Sequence, residues 1–402
     1  MRLRYDDSVE EFRSELLEWL AANRPSPEEM AAEPSVSTGH APDWARRWTR
    51  TMFDAGWLVP GWPPERGGRN AGPIESLVFI EELAKARVPR TTNVQGLGIV
   101  APSIFDYGTD DQVRDYALPI LRGEVTACLG MSEPGAGSDL ASLSTRAVRD
   151  GDEWVINGQK VWSSGARFAE WGELIARSDP EVPKHRGLTA FIIPMDLPGI
   201  EVRRIKQMSG GASFNEVFFN DVRVPDSMRL GDIGDGWRVA LTTLGFERDR
   251  SGESQAGRVG GSWAQLLATA RAMGVTDDPV LRQRLAEAYT HQRVETLLLR
   301  RLADLVEAGA TPGPEGSLGK LQWTNGMALY SDVVSQILGP ALVADSGAWG
   351  TFGWGEHVLG APGYRIAGGS DEIQRNIIGE RVLGLPPEPR VDKDVPWRDV
   401  LR

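Results

Sequence analysis

Two glycine-rich stretches and one Glu-Arg pair hold the residue types best suited to chemistry. Met131 to Asp139 reads MSEPGAGSD. Its small residues, set between strand-like runs, allow a ligand to approach the backbone closely. Ala367 to Pro386 reads AGGSDEIQRNIIGERVLGLP, with two glycines and Ser370 directly before a helix. Free N–H groups at such a helix start favour a phosphate or an enolate-like oxygen. Read alone, the first stretch is more often a surface turn, and the second is equally a capped helix after a flexible turn. Neither has the GxGxxG or GxxxxGK[ST] spacing after a strand, so no Rossmann or P-loop site is indicated, and GxSxG is absent.

Other chemistries are excluded by what is scarce. Four histidines (His40, His185, His291, His357) include no pair at the i, i+4 spacing of a helical zinc site. The single cysteine, Cys128, rules out an internal disulfide framework and a cysteine-rich metal centre. No metal is expected. A net charge of −12 argues against nucleic-acid binding, which needs a basic surface. No uninterrupted apolar run approaches the roughly 20 residues of a spanning helix, and the N-terminus MRLRYDDSVEEFRSELLEWL lacks an apolar signal core. A cytoplasmic protein without a membrane span is the expectation.

The elements that must position these residues fall into three blocks. Residues 1–124 read as helices: Ser8 and Glu11 form a candidate capping box before Phe12, Leu16, Leu17 and Leu20, and Thr109 with Gln112 repeats the signal. Arg24 to Trp44 reads as loop with one short helix. Residues 125–235 change to short β-type runs, with Asp150-Gly151 and Asn157-Gly158 as hairpin-type breaks. ELIAR, LTAFIIP and EVFFNDVRVP complete an expected antiparallel sheet. Residues 236–402 are helical again. Asp278-Pro279 starts a helix whose Leu281, Leu285, Tyr289, Leu298, Leu302 and Leu305 read as bundle core, and SLGKLQWTNGMALYSDVVSQILG and SDEIQRNIIGERVLG follow. The fold class expected is α+β, mainly α: an N-terminal helical domain, a middle antiparallel β domain and a C-terminal helical bundle.

In this order of blocks, six segments resemble the acyl-CoA dehydrogenase family over nearly the whole chain: MSEPGAGSDLAS, VINGQKVWSSG, FNDVRVP, LGFER, QILG and GGSDEIQRNIIGERVLGLP. The resemblance implies FAD as cofactor, with Leu129, Met131, Ser132, Gly137 and Ser138 along the flavin and the thioester. It implies Trp162 packed on the isoalloxazine ring and Ser164 hydrogen-bonding near flavin N5. Gln336 and Gly339 match a segment that reaches the FAD of a neighbouring subunit, and Ser370 and Glu372 match the FAD-contacting start of the last helix. Ser138, Arg248, Gly368 and Gly369 match the substrate side.

The departures concern the adenosine half of FAD and the base. After QILG stand Pro340, Ala341 and Leu342 where the family often has a second Gly-x-Gly, and MGVTDDPVLRQRLA replaces the usual Arg-x-x-Phe-Gly. Many family members carry a catalytic Glu where this chain has Gly368; other branches place it at a Glu-Arg on a different helix, matched here by Glu247-Arg248. Glu247 is therefore the expected general base. The function implied is α,β-dehydrogenation of an acyl-CoA or a carrier-bound acyl thioester, as in fatty acid β-oxidation. Hydride would pass to flavin N5 and electrons to an electron-transfer flavoprotein, from a homo-oligomer or a heteromer with a related subunit. An oxidase or monooxygenase on the same scaffold, and a catalytically silent partner subunit, are the alternatives.

Overall fold

The computed structural model describes residues 5–248, 261–310, 313–343, 351–390 and 392–400, with only the backbone for 246–248 and 351–353. The chain begins with helices α1 (Asp7–Asn23), α2 (Pro27–Ala32), α3 (Asp43–Asp54) and α4 (Pro73–Ala86). A π-type turn, Gly96–Val100, leads into α5 (Ala101–Tyr107), and α6 (Asp110–Gln112) and α7 (Leu118–Leu121) complete this part. The capping box expected at Ser8 and Glu11 does not form: α1 starts at Asp7, Asp6 is its N-cap, and no side chain caps it. Asp7 and Glu10 instead place negative charge against the positive helix end. At Thr109 the box does form, its hydroxyl accepting from Gln112 N at 3.2 Å while Gln112 Oε1 accepts from Thr109 N at 3.0 Å.

The middle part is an eight-stranded sheet. Its strands are β1 (Ala127–Gly130), β2 (Arg146–Asp150), β3 (Glu153–Lys160), β4 (Trp171–Arg177), β5 (Leu188–Pro194), β6 (Ile200–Arg204), β7 (Asn215–Pro225) and β8 (Arg229–Leu230). The order is β6-β7-β3-β2-β4-β5-β8, with β1 paired to β4. The sheet is mixed, which corrects the antiparallel expectation: β1 and β2 both run parallel to β4. Each of these pairs is separated by a long stretch of chain, which parallel neighbours require. The hairpin at Asp150-Gly151 is present. Asn157-Gly158 instead runs on within β3, opposite a bulge in β7: Ile156 pairs with Val222 and Gly158 with Phe219, so Asn157 faces both Asn220 and Asp221. The left-handed residue is Asp221, with φ 49°, and its N–H donates to Asn157 Oδ1 at 3.0 Å, so the side chain expected to turn the chain holds the partner's bulge instead.

The helices then return as α8 (Gly236–Arg248), α9 (Trp263–Ala272), α10 (Pro279–Glu307), α11 (Gly316–Leu338), α12 (Thr351–Tyr364) and α13 (Asp371–Ile377). Asp278 caps α10 by accepting from Val280 N and Leu281 N, as its place before Pro279 predicts. The apolar stripe of α10 is only partly core. Leu285 and Ala288 are buried, whereas Tyr289 and Leu305 are exposed. The stretch Gly316–Val343 is long and apolar enough on average to cross a bilayer, because an averaged window tolerates the scattered polar residues that interrupt an apolar run. Here it is a bundle helix, with Met327, Tyr330, Val333 and Val334 buried against α9 and α12.

Strand alternation sorts the sheet onto two cores. One face, with Ala127, Ile175, Leu188, Ala190 and Ile192, joins the N-terminal helices and Val239 and Ala240 of α8 in a single cluster. The other face, with Cys128, Trp154, Phe191 and Phe219, closes the β unit on itself. The first core sets α8 against β4 and β5, and the third, in the C-terminal bundle, holds α11, on which α13 packs.

Candidate active site

The turn Met131–Asp139 joins β1 to β2, and two bonds tie it to the segment after β3. Val161 N donates to the Ser132 carbonyl at 2.8 Å, and Lys160 Nζ donates to the Met131 carbonyl at 2.9 Å. MSEPGAGSD and VWSSG, separate in sequence, thus form one surface. Beneath it lies an ion pair absent from the sequence reading. Lys160, fully buried, sits 2.9 Å from Glu133 Oε1, and the same carboxylate accepts from Ser144 N, Ser144 Oγ and Thr145 N at 2.7–2.9 Å. Burial pushes the Glu133 pKa up, but the Lys160 charge and these hydrogen bonds outweigh it and hold the carboxyl at about 2. A carboxylate so surrounded by donors is ionised. A sequence signal existed: Lys160 occupies an inward position of a strand whose other inward residues are Trp154 and Ile156.

On this base stands Trp162. It is 57% exposed despite its size, and its backbone is left-handed, with φ 64°. An L-residue there costs about 1–2 kcal/mol. Phe214 meets its ring edge-on at 5.9 Å. Asn215 holds the next residue from both sides, its carbonyl accepting from Ser163 N and its Nδ2 donating to the Ser163 carbonyl. Ser163 Oγ is buried without a protein partner, and Ser164 is half-buried.

Of the other residues drawn from the sequence, Leu129 and Ser132 are half-buried, Met131 is buried, and Gly137 and Ser138 are exposed. A Cβ at Gly135 or Gly137 would meet nothing within 4 Å, so the turn presents open backbone. Its far end is held by the C-terminal segment. Lys184 Nζ bridges Asp139 and Asp392, and Trp397 Nε1 donates to the Ser142 carbonyl at 3.3 Å.

The second half of the site is the turn before α13. Gly368 and Gly369 both have positive φ, 64° and 83°, and Ser370 caps α13 by accepting from Ile373 N. Their carbonyls are turned inward: Gln374 Nε2 donates to both, and Lys320 Nζ on α11 donates to the Gly369 carbonyl at 2.9 Å. Asp371, 1% exposed, accepts from Thr324 Oγ1 at 3.0 Å and Arg365 Nε at 2.7 Å. Burial raises its pKa, and Arg365, Thr324 and Lys320 together bring it below the usual carboxylate range. Sequence reading missed this cluster because Thr324 and Asp371 meet only through the packing of α11 on α13.

Gln336 lies sixteen residues beyond Lys320 on the same helix, about 24 Å further along it. It is exposed, as are Gly339 and Glu372. Glu247 and Arg248 end α8, and their side chains lie outside the described residues. Between the two half-sites runs α8, which touches β4, β5 and α11. No group of three metal-binding side chains occurs among the described residues.

An exposed indole on a strained backbone, beside open glycine backbone and an unpartnered hydroxyl, suits a planar ring with polar edges and a phosphate-bearing tail. These residues fit FAD. Trp162 would stack, Ser163 and Ser164 would offer hydroxyls, and the open turn would offer backbone.

Three family models match in sequence order: the acyl-CoA dehydrogenase N-terminal domain over residues 6–124, the middle domain over 128–222 and the C-terminal domain over 234–383. The chain is 39% identical over 393 residues to acyl-CoA dehydrogenase IpdE1 of Mycobacterium tuberculosis, covering 95% of this chain and 99% of that one. Among solved structures it resembles one described as the Tcur3481-Tcur3483 steroid ACAD (TM-score 0.82, 32% identity, 96% and 100% coverage). It also resembles the ChsE4-ChsE5 complex of M. tuberculosis (TM-score 0.78, 31% identity, 96% and 100% coverage). The chain belongs to the acyl-CoA dehydrogenase family, and it is a flavin-dependent oxidoreductase whose cofactor is FAD.

Proposed function

We propose that the chain removes the α-proton and the β-hydride of an acyl-CoA thioester, with Glu247 as general base and an electron-transfer flavoprotein as electron acceptor. The observation that carries this reading is the pairing of a vacated position with a supplied one. Gly368 has no titratable group, while α8, packed between sheet and bundle, ends in Glu247. FAD, when bound, supplies the hydride acceptor at N5. Around it the chain's own residues do the rest: Trp162 backs the ring, the inward-turned carbonyls of Gly368 and Gly369 fix the adjacent N–H groups for the thioester oxygen, and Glu247 takes the proton.

The acyl group we infer is wide and ring-bearing. Gly98, on the turn before α5, and Gly245, two residues before Glu247, each face open space within 4 Å. The two elements that carry them are in contact. Gly368 removes a third side chain, and the structural relative described as a steroid ACAD supports the same class. Of the solved relatives named above, one is described as the ChsE4-ChsE5 complex, and the other joins two names, Tcur3481 and Tcur3483. An assembly with a second subunit, related or identical, also agrees with the exposed Gln336 and the exposed apolar face of α10.

The test is anaerobic mixing with straight-chain and polycyclic acyl-CoAs, followed by flavin bleaching, on the chain alone and with related partner subunits. Polycyclic substrates are expected to bleach it fastest. Glu247→Gln should keep FAD and slow bleaching by about 100-fold or more, as for loss of a general base. A near-parental rate in that variant would overturn the assignment.

A further inference from the structure

One buried carboxyl takes no part in the chemistry described so far. Glu173 lies on β4, level with Leu129 of β1 and Ile192 of β5, and is 0% exposed. It points at two helices. Its Oε1 is 2.8 Å from Thr243 Oγ1 on α8, and Thr243 Oγ1 is 2.8 Å from Ser103 Oγ on α5. The second oxygen, Oε2, has no partner among the described residues. Thr243 precedes Glu247 by four residues, so it lies one helical turn, about 6 Å, below the proposed base and on the same face.

The protons around this carboxyl can be counted. Thr243 Oγ1 lies 2.8 Å from the Val239 carbonyl, and Ser103 Oγ lies 3.1 Å from the Ile99 carbonyl. Two hydroxyl protons therefore meet four contacts: two helix carbonyls, the carboxyl and the contact between the hydroxyls themselves. If Glu173 is a carboxylic acid, it donates to Thr243, which also accepts from Ser103 and donates to Val239, so the three contacts at 2.8 Å each hold a proton and only the 3.1 Å contact to Ile99 goes without. If it is a carboxylate, Thr243 must turn its proton to it and away from the Val239 carbonyl, while the charged group's second oxygen stays bare in an apolar core, which is costly. Leu129, Ile192, Ser103 and Thr243 face it, and none of them titrates. The ionisable side chains of the two helices have other partners or lie beyond: on α5 Asp106 interacts with Arg66 and Tyr107 bonds Thr242, on α8 Arg238 pairs with Asp235, and Glu247 and Arg248 end α8. Burial raises the Glu173 pKa to about 8, with the two hydroxyls opposing.

We propose that Glu173 is a positioning residue that works as an uncharged acid, clamping α5 and the base-bearing helix α8 onto the strand beside β1. Its ionisation at alkaline pH releases the clamp and limits the enzyme from above. The kinetic part rests on Glu247 being the base; the stability part does not. Because the folded protein keeps a proton that the unfolded chain releases, stability falls as pH rises from about 4.5 towards about 8. Glu173→Gln, which mimics the acid, is free of that loss.

The experiment compares FAD-loaded parent, Glu173→Gln and Glu173→Leu. The melting temperature of Glu173→Gln relative to the parent should rise by at least about 2 °C between about pH 5.5 and about pH 8.5. An unchanged difference would overturn the proposal without touching the function assigned above. With an acyl-CoA that bleaches the parent's flavin, Glu173→Gln should react within about twofold of the parent near pH 7 and lose the parent's decline above about pH 8. A rate down by about tenfold or more near pH 7, or a coincident alkaline limb, would also overturn it. Glu173→Leu, uncharged but unable to bond Thr243, should bind FAD yet react about tenfold more slowly at every pH. A parental rate there would remove the positioning role, and if Leu does not fold, the Gln variant decides alone.

Discussion

Lys160 Nζ lies 2.9 Å from both Glu133 Oε1 and the Met131 carbonyl, so one buried ammonium holds the start of the glycine-rich turn from beneath. Two residues further along the chain, Trp162 stands exposed above that ammonium's strand. The surface proposed for the cofactor and its foundation are therefore one unit.

Lys160→Met removes the cation and leaves Glu133 buried among donors without its charge partner. Such a change costs about 3–5 kcal/mol, and FAD should be lost with it. Denaturant unfolding and the flavin absorbance of the purified variant measure the two effects. A variant as stable and as yellow as the parent would show that the pair is not structural.

Acid should dissolve the same device. The folded Glu133 pKa, at about 2, lies below its unfolded value, so its contribution is present above about pH 4.5 and is lost as pH falls towards 2. Melting temperature followed through that window should fall steeply in the parent. In Glu133→Gln it should start lower and fall less.

Gly369→Ala places a methyl 2.7 Å from Gln374 Nε2 on a backbone with φ 83°. The strain of about 1–2 kcal/mol is added to a displaced Gln374, which frees the carbonyls of Gly368 and Gly369. The KM for an acyl-CoA is expected to rise about tenfold, the equivalent of 1.4 kcal/mol, with FAD content kept. Steady-state kinetics and the flavin-to-protein ratio separate these outcomes.

Trp162→Gly relaxes the left-handed backbone and removes the ring. The FAD-free protein should melt at or slightly above the parent's temperature, while the Kd for FAD rises about tenfold or more. Trp162→Phe keeps both strain and stacking and should bind FAD nearly as the parent does. A Gly variant that binds FAD normally would remove Trp162 from the cofactor site.

Local signals in the sequence determined the order of helical, β and helical blocks, because capping and turn preferences act within a few residues. Thr109 with Gln112, Asp278 before Pro279, and Ser370 before α13 all cap as their spacing predicts. The motifs around Gly137, Trp162 and Ser370 were legible for the same reason. Contacts between distant residues were not. Lys160 beneath Glu133, Thr324 against Asp371, and Thr243 against Glu173 join residues 27, 47 and 70 positions apart. Only packing decides such partners: strand alternation marks Lys160 as inward but does not name Glu133 as the residue it meets. Tertiary structure also kept Asn157-Gly158 within β3, opposite a bulge of β7, and left Tyr289 and Leu305 of α10 exposed. A dipeptide's turn preference and a helix's apolar stripe state what can be buried or bent, and the neighbouring strand or helix decides whether it is.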